Sequence, residues 1–269
     1  MSLIDFYTQE SPFATEFRRL LQRLKKGDGK QELKAVMVTS ATLSEGKSTI
    51  SCLLAITAAK KGQKTLLIDT DLRRPTIHKL FKVDREIGLA EVLTEGLSAK
   101  NAVRKTELEN LDLMTAGRVS AEPAEVFDAP AIGRVVAELK FYYDLIVIDC
   151  APIIPVSDPM LLSTEVDGVA MVIRAGKTPR EVARRAVEIL SASTGNLLGV
   201  ILNNVSNTLP YYYNYDYYGY NYKPSRADRR DARRSRDPRG QQRRDDQGDN
   251  KSKKPPSGSS TRDASTLSQ

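Results

Sequence analysis

Apolar residues in this chain fall in short, nearly unbroken blocks rather than in strict alternation. The blocks are "KAVMVTS" (34–40), "KTLLIDTD" (64–71), "LDLMTA" (111–116), "DLIVIDC" (144–150), "GVAMVIR" (168–174) and "LLGVILNNV" (197–205). A strand with one wet face alternates apolar with polar side chains. A strand that is apolar throughout is covered on both faces, as in a parallel sheet between two helical layers. Between the blocks the pattern becomes helical. "GKSTISCLLAITAAKKG" opens after a glycine-bearing loop and closes at Gly62, while "PREVARRAVEILSAS" carries Pro179 at its first turn and stops before Gly195. This alternation predicts an α/β fold, a doubly wound, mostly parallel sheet flanked by helices. In such sheets ligands collect at the carboxyl ends of the strands.

One more amphipathic segment, "SPFATEFRRLLQRLKK" (11–26), precedes the first strand, with Ser11 as N-cap and Pro12 in the first turn. Phe13, Phe17, Leu20, Leu21 and Leu24 trace one face. That face packs either on its own domain or on a neighbouring subunit.

The 269 residues suffice for one sizeable α/β domain. No run of eighteen apolar residues occurs, and "MSLIDFYTQESPF" lacks the basic and apolar regions of a secretory signal. Cys52 and Cys150 lie inside apolar blocks and suggest no disulfide framework. A cytoplasmic chain is expected. Its one histidine, His78, reads as a surface or helix-face residue rather than a catalyst.

Charge redraws the organisation. Residues 223–269 hold 14 Lys+Arg and 7 Asp+Glu, so the net charge of +7 resides there and the preceding 222 residues balance at 27 of each sign. With one Leu and no Ile, Val, Phe, Tyr or Met, that tail cannot bury enough apolar surface to offset the entropy of ordering and is expected to be disordered. Its interspersed aspartates argue against a nucleic-acid arm. Just before it, "YYYNYDYYGYNY" (211–222) places eight of the chain's eleven tyrosines in twelve positions, among Asn, Asp and Gly. Eight phenols cannot share one buried face in such turn-forming company. The segment is either adhesive low-complexity sequence or one whose hydroxyls are themselves the point. The division is therefore 1–210, 211–222 and 223–269.

Candidate chemistry lies where the sheet would place it. "ATLSEGKST" (41–49) follows the first strand and opens a helix, fitting [AG]-x4-G-K-[ST] with Ala41 at the first position. Loop and helix N–H groups in Ser44, Glu45, Gly46, Lys47, Ser48 and Thr49 would face phosphates. Lys47 would reach the β and γ oxygens, and Ser48 would offer its hydroxyl to Mg²⁺. "LLIDTDLRRP" (66–75) puts Asp69 and Asp71 on one side of a strand end, and "LIVIDCAP" (145–152) delivers Asp149 at another. A lone aspartate there is a turn or cap. Three beside a phosphate loop point to magnesium and proton-transfer chemistry. Asn203 and Asn204 beyond the last strand suit equally an Asx turn or the edge of an adenine.

On these motifs and the tyrosine cluster, residues 11–222 resemble the catalytic domain of the bacterial tyrosine kinases (BY-kinases) of exopolysaccharide and capsule systems. "LLIDTDLRRP" is the most specific match, since ordinary P-loop proteins lack Asp-x-Asp followed by Arg and Pro. The resemblance implies a P-loop NTPase-like fold that uses ATP and Mg²⁺ to phosphorylate Tyr211, Tyr212, Tyr213, Tyr215, Tyr217, Tyr218, Tyr220 and Tyr222. It makes Lys47 and Ser48 ligands of phosphate and magnesium, Asp69 the candidate base, Asp71 and Asp149 the magnesium-linked acids, and Asn203 the adenine contact.

It further implies self-association into a ring, activation by a separate transmembrane chain-length regulator at the inner face of the membrane, reversal by a phosphotyrosine phosphatase, and no nucleic-acid partner. Departures are Gln22 in the ExxRxxR pattern begun by Glu16 and Arg19, Ser44 where glycine is common, and Cys150 and Ala151 in the third motif. The basic tail is also unusual in this family. Two alternatives are a partition or division-site ATPase, which would need a lysine where Thr42 stands, and an inactive scaffold presenting tyrosines.

Overall fold

In a computed structural model, residues 3–7, 12–26, 33–119, 122–193 and 195–205 are described, all within the compact unit Met1–Asn214. Ser11, the tyrosine cluster 211–222 and the tail 223–269 lie outside the described residues.

All six apolar blocks become strands. They are β1 (Ala35–Ser40), β2 (Thr65–Asp69), β4 (Leu111–Met114), β5 (Leu145–Asp149), β6 (Gly168–Arg174) and β7 (Leu197–Asn203). A two-residue strand, β3 (Arg104–Lys105), adds antiparallel to β4, and its polar pair carries no periodicity to announce it. The sheet order is β3-β4-β2-β5-β1-β6-β7, and every pairing except β3–β4 is parallel.

Successive strand residues face opposite layers, which divides the interior into two cores. Met37, Leu66, Ile68, Ile146, Ile148 and Met171 look toward one helical layer. That layer comprises α5 (Leu89–Glu95), α6 (Ala99–Ala102), α7 (Pro123–Val126), α8 (Ala129–Leu139), α9 (Asp158–Leu162) and α10 (Arg180–Ala192). Val36, Val38, Leu67, Leu113, Val147 and Val172 look toward the other. It holds α1 (Leu3–Phe6), α2 (Pro12–Lys26), α3 (Lys47–Lys60) and α4 (Ile77–Phe81).

The central helix α3 is buried on nearly every side, from Ile50 to Ala59, because α2 covers its outer face. The apolar stripe of α2 is thus spent on its own domain: Leu21 and Leu24 are buried, and Phe13, Phe17 and Leu20 pack beside them. This leaves Glu16 and Arg19 exposed and paired with each other along the helix. The strand β7 departs from the expectation of two covered faces. It closes the sheet at its edge, and Val200 and Leu202 are each 46% exposed.

Candidate nucleotide and phosphoryl-transfer site

The parallel register sets the site. β2 and β5 pair with Asp69 opposite Asp149, and β1 and β5 pair with Val38 opposite Asp149. Asp69 and Asp149 are therefore neighbours on adjacent strands, about 5 Å apart along the ladder. The loop leaving β1 lies beside them and leads into α3.

The loop, residues 41–46, turns through left-handed conformations at Ser44 (φ 63°) and Gly46 (φ 97°). Residues that alternate in this way aim successive N–H groups into one concavity, and the first-turn N–H groups of α3 have no intrahelical acceptor. Together they form a concavity over Leu43–Ser48 that could receive an anion. Its shape is held from behind. The buried Glu45 carboxylate accepts the Thr42 N–H (2.9 Å) and hydroxyl (3.0 Å), and also the hydroxyl of Thr178 beyond β6. Asn203 donates its side-chain N–H to the Glu45 carbonyl at 2.8 Å and accepts the Asn204 N–H. Gly46 is required twice over, since its φ is left-handed and a Cβ there would fall 2.3 Å from Asn203 Nδ2.

Lys47, the first residue of α3, extends its ammonium to Asp71 Oδ2 at 2.8 Å and Asp149 Oδ2 at 3.3 Å. Burial works against its charge, but the carboxylates of Asp149 and Asp71 outweigh burial and hold the pKa above the ordinary lysine range. Asp149 also accepts the Ser51 hydroxyl at 3.0 Å, from one turn further along α3. Asp69 is fully covered. Its carboxylate accepts the N–H groups of Asp71 (3.2 Å), Thr76 and Ile77 (3.1 Å each), so it caps the start of α4 from a distance. Burial first, and then the adjacent Asp149, push its pKa up to about 7. Asp71 Oδ1 accepts the Arg74 N–H at 2.9 Å.

Lys47, Ser48, Asp69, Asp71 and Asp149 thus meet at the carboxyl ends of β1, β2 and β5. Asn203 stands at the loop's back, tied to its backbone. Ser51 and Thr178 escaped the sequence reading. Ser51 could have been found as the residue one helical turn past Lys47, whereas Thr178 lies 133 positions from Glu45 and leaves no local signal.

The donor set suits Mg²⁺. Ser48, Asp71 and Asp149 offer hard oxygen ligands, and no cluster of three or more His, Cys, Asp or Glu able to hold a metal occurs among the described residues. Mg²⁺ is usually bound in this way, by one or two carboxylates with substrate phosphates and water completing the shell.

Residues 37–175 match the family described as "AAA domain". The chain is 36% identical over 204 residues to the tyrosine-protein kinase YwqD of Bacillus subtilis, covering 76% of this chain and 85% of the relative. The crystal structure of the chimerical protein CapA2B2 superposes with a TM-score of 0.69 at 29% identity, covering 74% of this chain and 88% of that one. The kinase domain of the Escherichia coli tyrosine kinase ETK gives a TM-score of 0.67 at 29% identity, over 71% and 74%. The septum site-determining protein MinD of Pyrococcus horikoshii shares the fold at a TM-score of 0.58 and 24% identity, over 65% and 72%.

Proposed function

The chain belongs to the bacterial tyrosine kinases and is a protein-tyrosine kinase, and on that footing we propose that it transfers the γ-phosphoryl group of ATP to tyrosines of its own 211–222 cluster. The observation that carries the residue assignment is the convergence of Lys47 with Asp71 and Asp149, one strand position from Asp69. Phosphoryl transfer makes little covalent demand on the protein. It needs a fixed nucleotide, balanced charge and an oriented nucleophile.

In this reading the cradle over residues 43–48 holds the phosphates, and Lys47 turns from its carboxylates to the transferred group. Ser48, Asp71 and Asp149 would hold Mg²⁺, which would supply neutralisation of the developing phosphate charge. Asp69, with a pKa near 7, takes the proton of the attacking phenol. Because Asp69 is buried, that role requires its surroundings to open as the substrate enters. Asn203 serves the nucleotide through the loop it braces, beside the adenine end.

The relatives support a setting for this activity. We assign the activity to control of capsule or exopolysaccharide assembly, reversed by a phosphotyrosine phosphatase. None of the described helices is long and apolar enough to cross a membrane. The likeness to the CapA2B2 chimera supports a separate transmembrane regulator as activator, which would hold the kinase at the inner face of the membrane. Self-association would use the exposed side of α2, where Glu16 and Arg19 lie.

The cluster begins only a few residues beyond Asn204, so a tyrosine reaching its own γ-phosphate would have to reverse across the nucleotide. Transfer between chains avoids this. The test mixes a Lys47→Met chain, tyrosines intact, with an active chain whose eight cluster tyrosines are Phe, in the presence of labelled ATP. Phosphotyrosine on the Lys47→Met partner is expected. Absence of label there, with concentration-independent self-labelling of the wild type, would place transfer within one chain. Absence of label on the wild type itself would overturn the kinase assignment.

A further inference from the structure

The second motif continues past its aspartates into a pocket that the reaction does not use. The β2–α4 loop and α4 border a concavity of about 450 Å³ lined by Arg73, Arg74, Lys79 and Arg85, together with Thr76 and His78. Two features mark it as more than a solvated basic face. Thr76 and His78 line it, and each carries a buried side-chain atom, Thr76 Oγ1 and His78 Nδ1, with no hydrogen-bond partner among the described residues, although nearly every buried polar atom in a folded protein has one. Two acids of this region are also already committed: Asp158 to Arg73 at 3.2 Å and Asp84 to Arg104 at 2.9 Å. Arg74, Lys79 and Arg85 are exposed, and none of them forms an ion pair among the described residues. Clustered guanidinium and ammonium groups are the chemistry that receives a phosphate monoester dianion.

The pocket is wired to the reaction site. The Thr76 N–H donates to Asp69 Oδ2 at 3.1 Å, while the Thr76 side chain lines the pocket. A phenol at Asp69 would therefore have its neighbours in sequence beside these cations. Successive tyrosines in 211–222 are one or two positions apart, which in an extended chain is roughly 3.5–7 Å.

Building on the kinase reading above, we propose that this pocket docks the phosphate of an already modified tyrosine of the cluster while a neighbouring tyrosine is presented at Asp69. A phosphotyrosine carries about −1.5 to −2 charges at neutral pH, so the first transfer creates a ligand that the unmodified cluster lacks. Each modification then makes its neighbour a better substrate, and multiple phosphorylation becomes self-promoting.

The test uses the full-length chain with all eight cluster tyrosines changed to Phe, so that its own cluster does not compete. Two synthetic peptides span residues 209–224, one unmodified and one with phosphotyrosine at position 213. Binding is read by fluorescence anisotropy, and turnover by phosphate incorporated at the remaining tyrosines. The phosphopeptide should bind about tenfold more tightly, as expected for a few charge-assisted hydrogen bonds, and excess inorganic phosphate should erase the difference. Lys79→Ala with Arg85→Ala should abolish the preference while leaving turnover of the unmodified peptide unchanged.

Equal affinities for the two peptides, or a preference that survives the double substitution, would overturn the proposal. So would a double variant that loses only its binding to phosphatidylglycerol vesicles, which would make the patch a lipid contact. A preserved binding preference with no turnover of either peptide would support the dock and sink the kinase reading instead.

Discussion

Asn203 at the end of the edge strand β7 donates its side-chain N–H to the carbonyl of Glu45, 158 residues earlier, at 2.8 Å. The last strand of the sheet thereby fixes the loop that follows the first. Replacing Asn203 by Ala removes this bond and the support behind Gly46, while the other braces of Glu45, from Thr42 and Thr178, remain. The loss of one partly buried hydrogen bond, about 1 kcal/mol, should weaken ATP binding roughly fivefold. A fluorescent ATP analogue measures this directly. Affinity equal to wild type would mean that the loop holds its shape without β7.

That relationship marks where sequence reading ran out. The six long strands, helix α3 and the carboxylates were legible because each depends on local pattern, in apolar blocks, a glycine-bearing loop and acids at block ends. The order of strands is a long-range property, and with it went the pairing of Asp69 with Asp149 and the reach of Thr178 to Glu45. Asn203 could be singled out as an amide at a strand end, but its attachment to the loop backbone could not. β3 was invisible because two polar residues have no period. α3 looked amphipathic in outline and is buried almost all round, because the covering helix α2 lies in another part of the chain.

Lys47→Met should abolish phosphotyrosine on the chain when it is incubated alone, and it should also destabilise the fold without any nucleotide. Asp69 and Asp149 are fully buried and Asp71 is 3% exposed, and Lys47 provides the ammonium that Asp71 and Asp149 contact. Removing one partner of a buried ion cluster typically costs about 3–5 kcal/mol, because the remaining charges go unpaired. Adding Asp149→Asn should recover much of that stability while activity stays absent. Urea unfolding in the presence of a chelator, followed by circular dichroism, reads the stability arm. A Lys47→Met protein as stable as wild type would show that the carboxylates are already protonated in its absence.

Ser44 occupies a left-handed conformation, φ 63°, that a side chain disfavours. Ser44→Gly should stabilise the chain by about 1 kcal/mol, the typical cost of holding a non-glycine residue there. Gly46→Ala should do the opposite, since the added Cβ meets Asn203 Nδ2. Thermal unfolding of the pair checks both signs. If Ser44→Gly is destabilising, the serine side chain contributes a contact to the loop that outweighs its backbone strain.

At the far end of the sheet, Asp167 joins three elements and supplies a pH signature independent of the active site. Its Oδ2 accepts the N–H groups of Lys34 (2.9 Å) and Ala35 (2.8 Å) where β1 begins, and its Oδ1 meets Lys140 Nζ at 2.6 Å beyond α8. Burial alone would raise its pKa, but the Lys140 ammonium and the two N–H groups outweigh burial and hold the carboxyl below its ordinary value. A carboxyl with a depressed folded pKa contributes stability that is complete above its unfolded pKa, about 3.9, and is lost as pH falls through the folded value. Asp167→Asn should therefore be less stable than wild type at pH 7, by about 2 kcal/mol for hydrogen bonds to a charged group. The gap should narrow below about pH 4 as the wild-type carboxyl takes up its proton. The chain has no tryptophan, so unfolding at pH 7 and in acid is followed by far-ultraviolet circular dichroism. A gap that stays constant across that range would show that the wild-type residue acts through its shape rather than its charge.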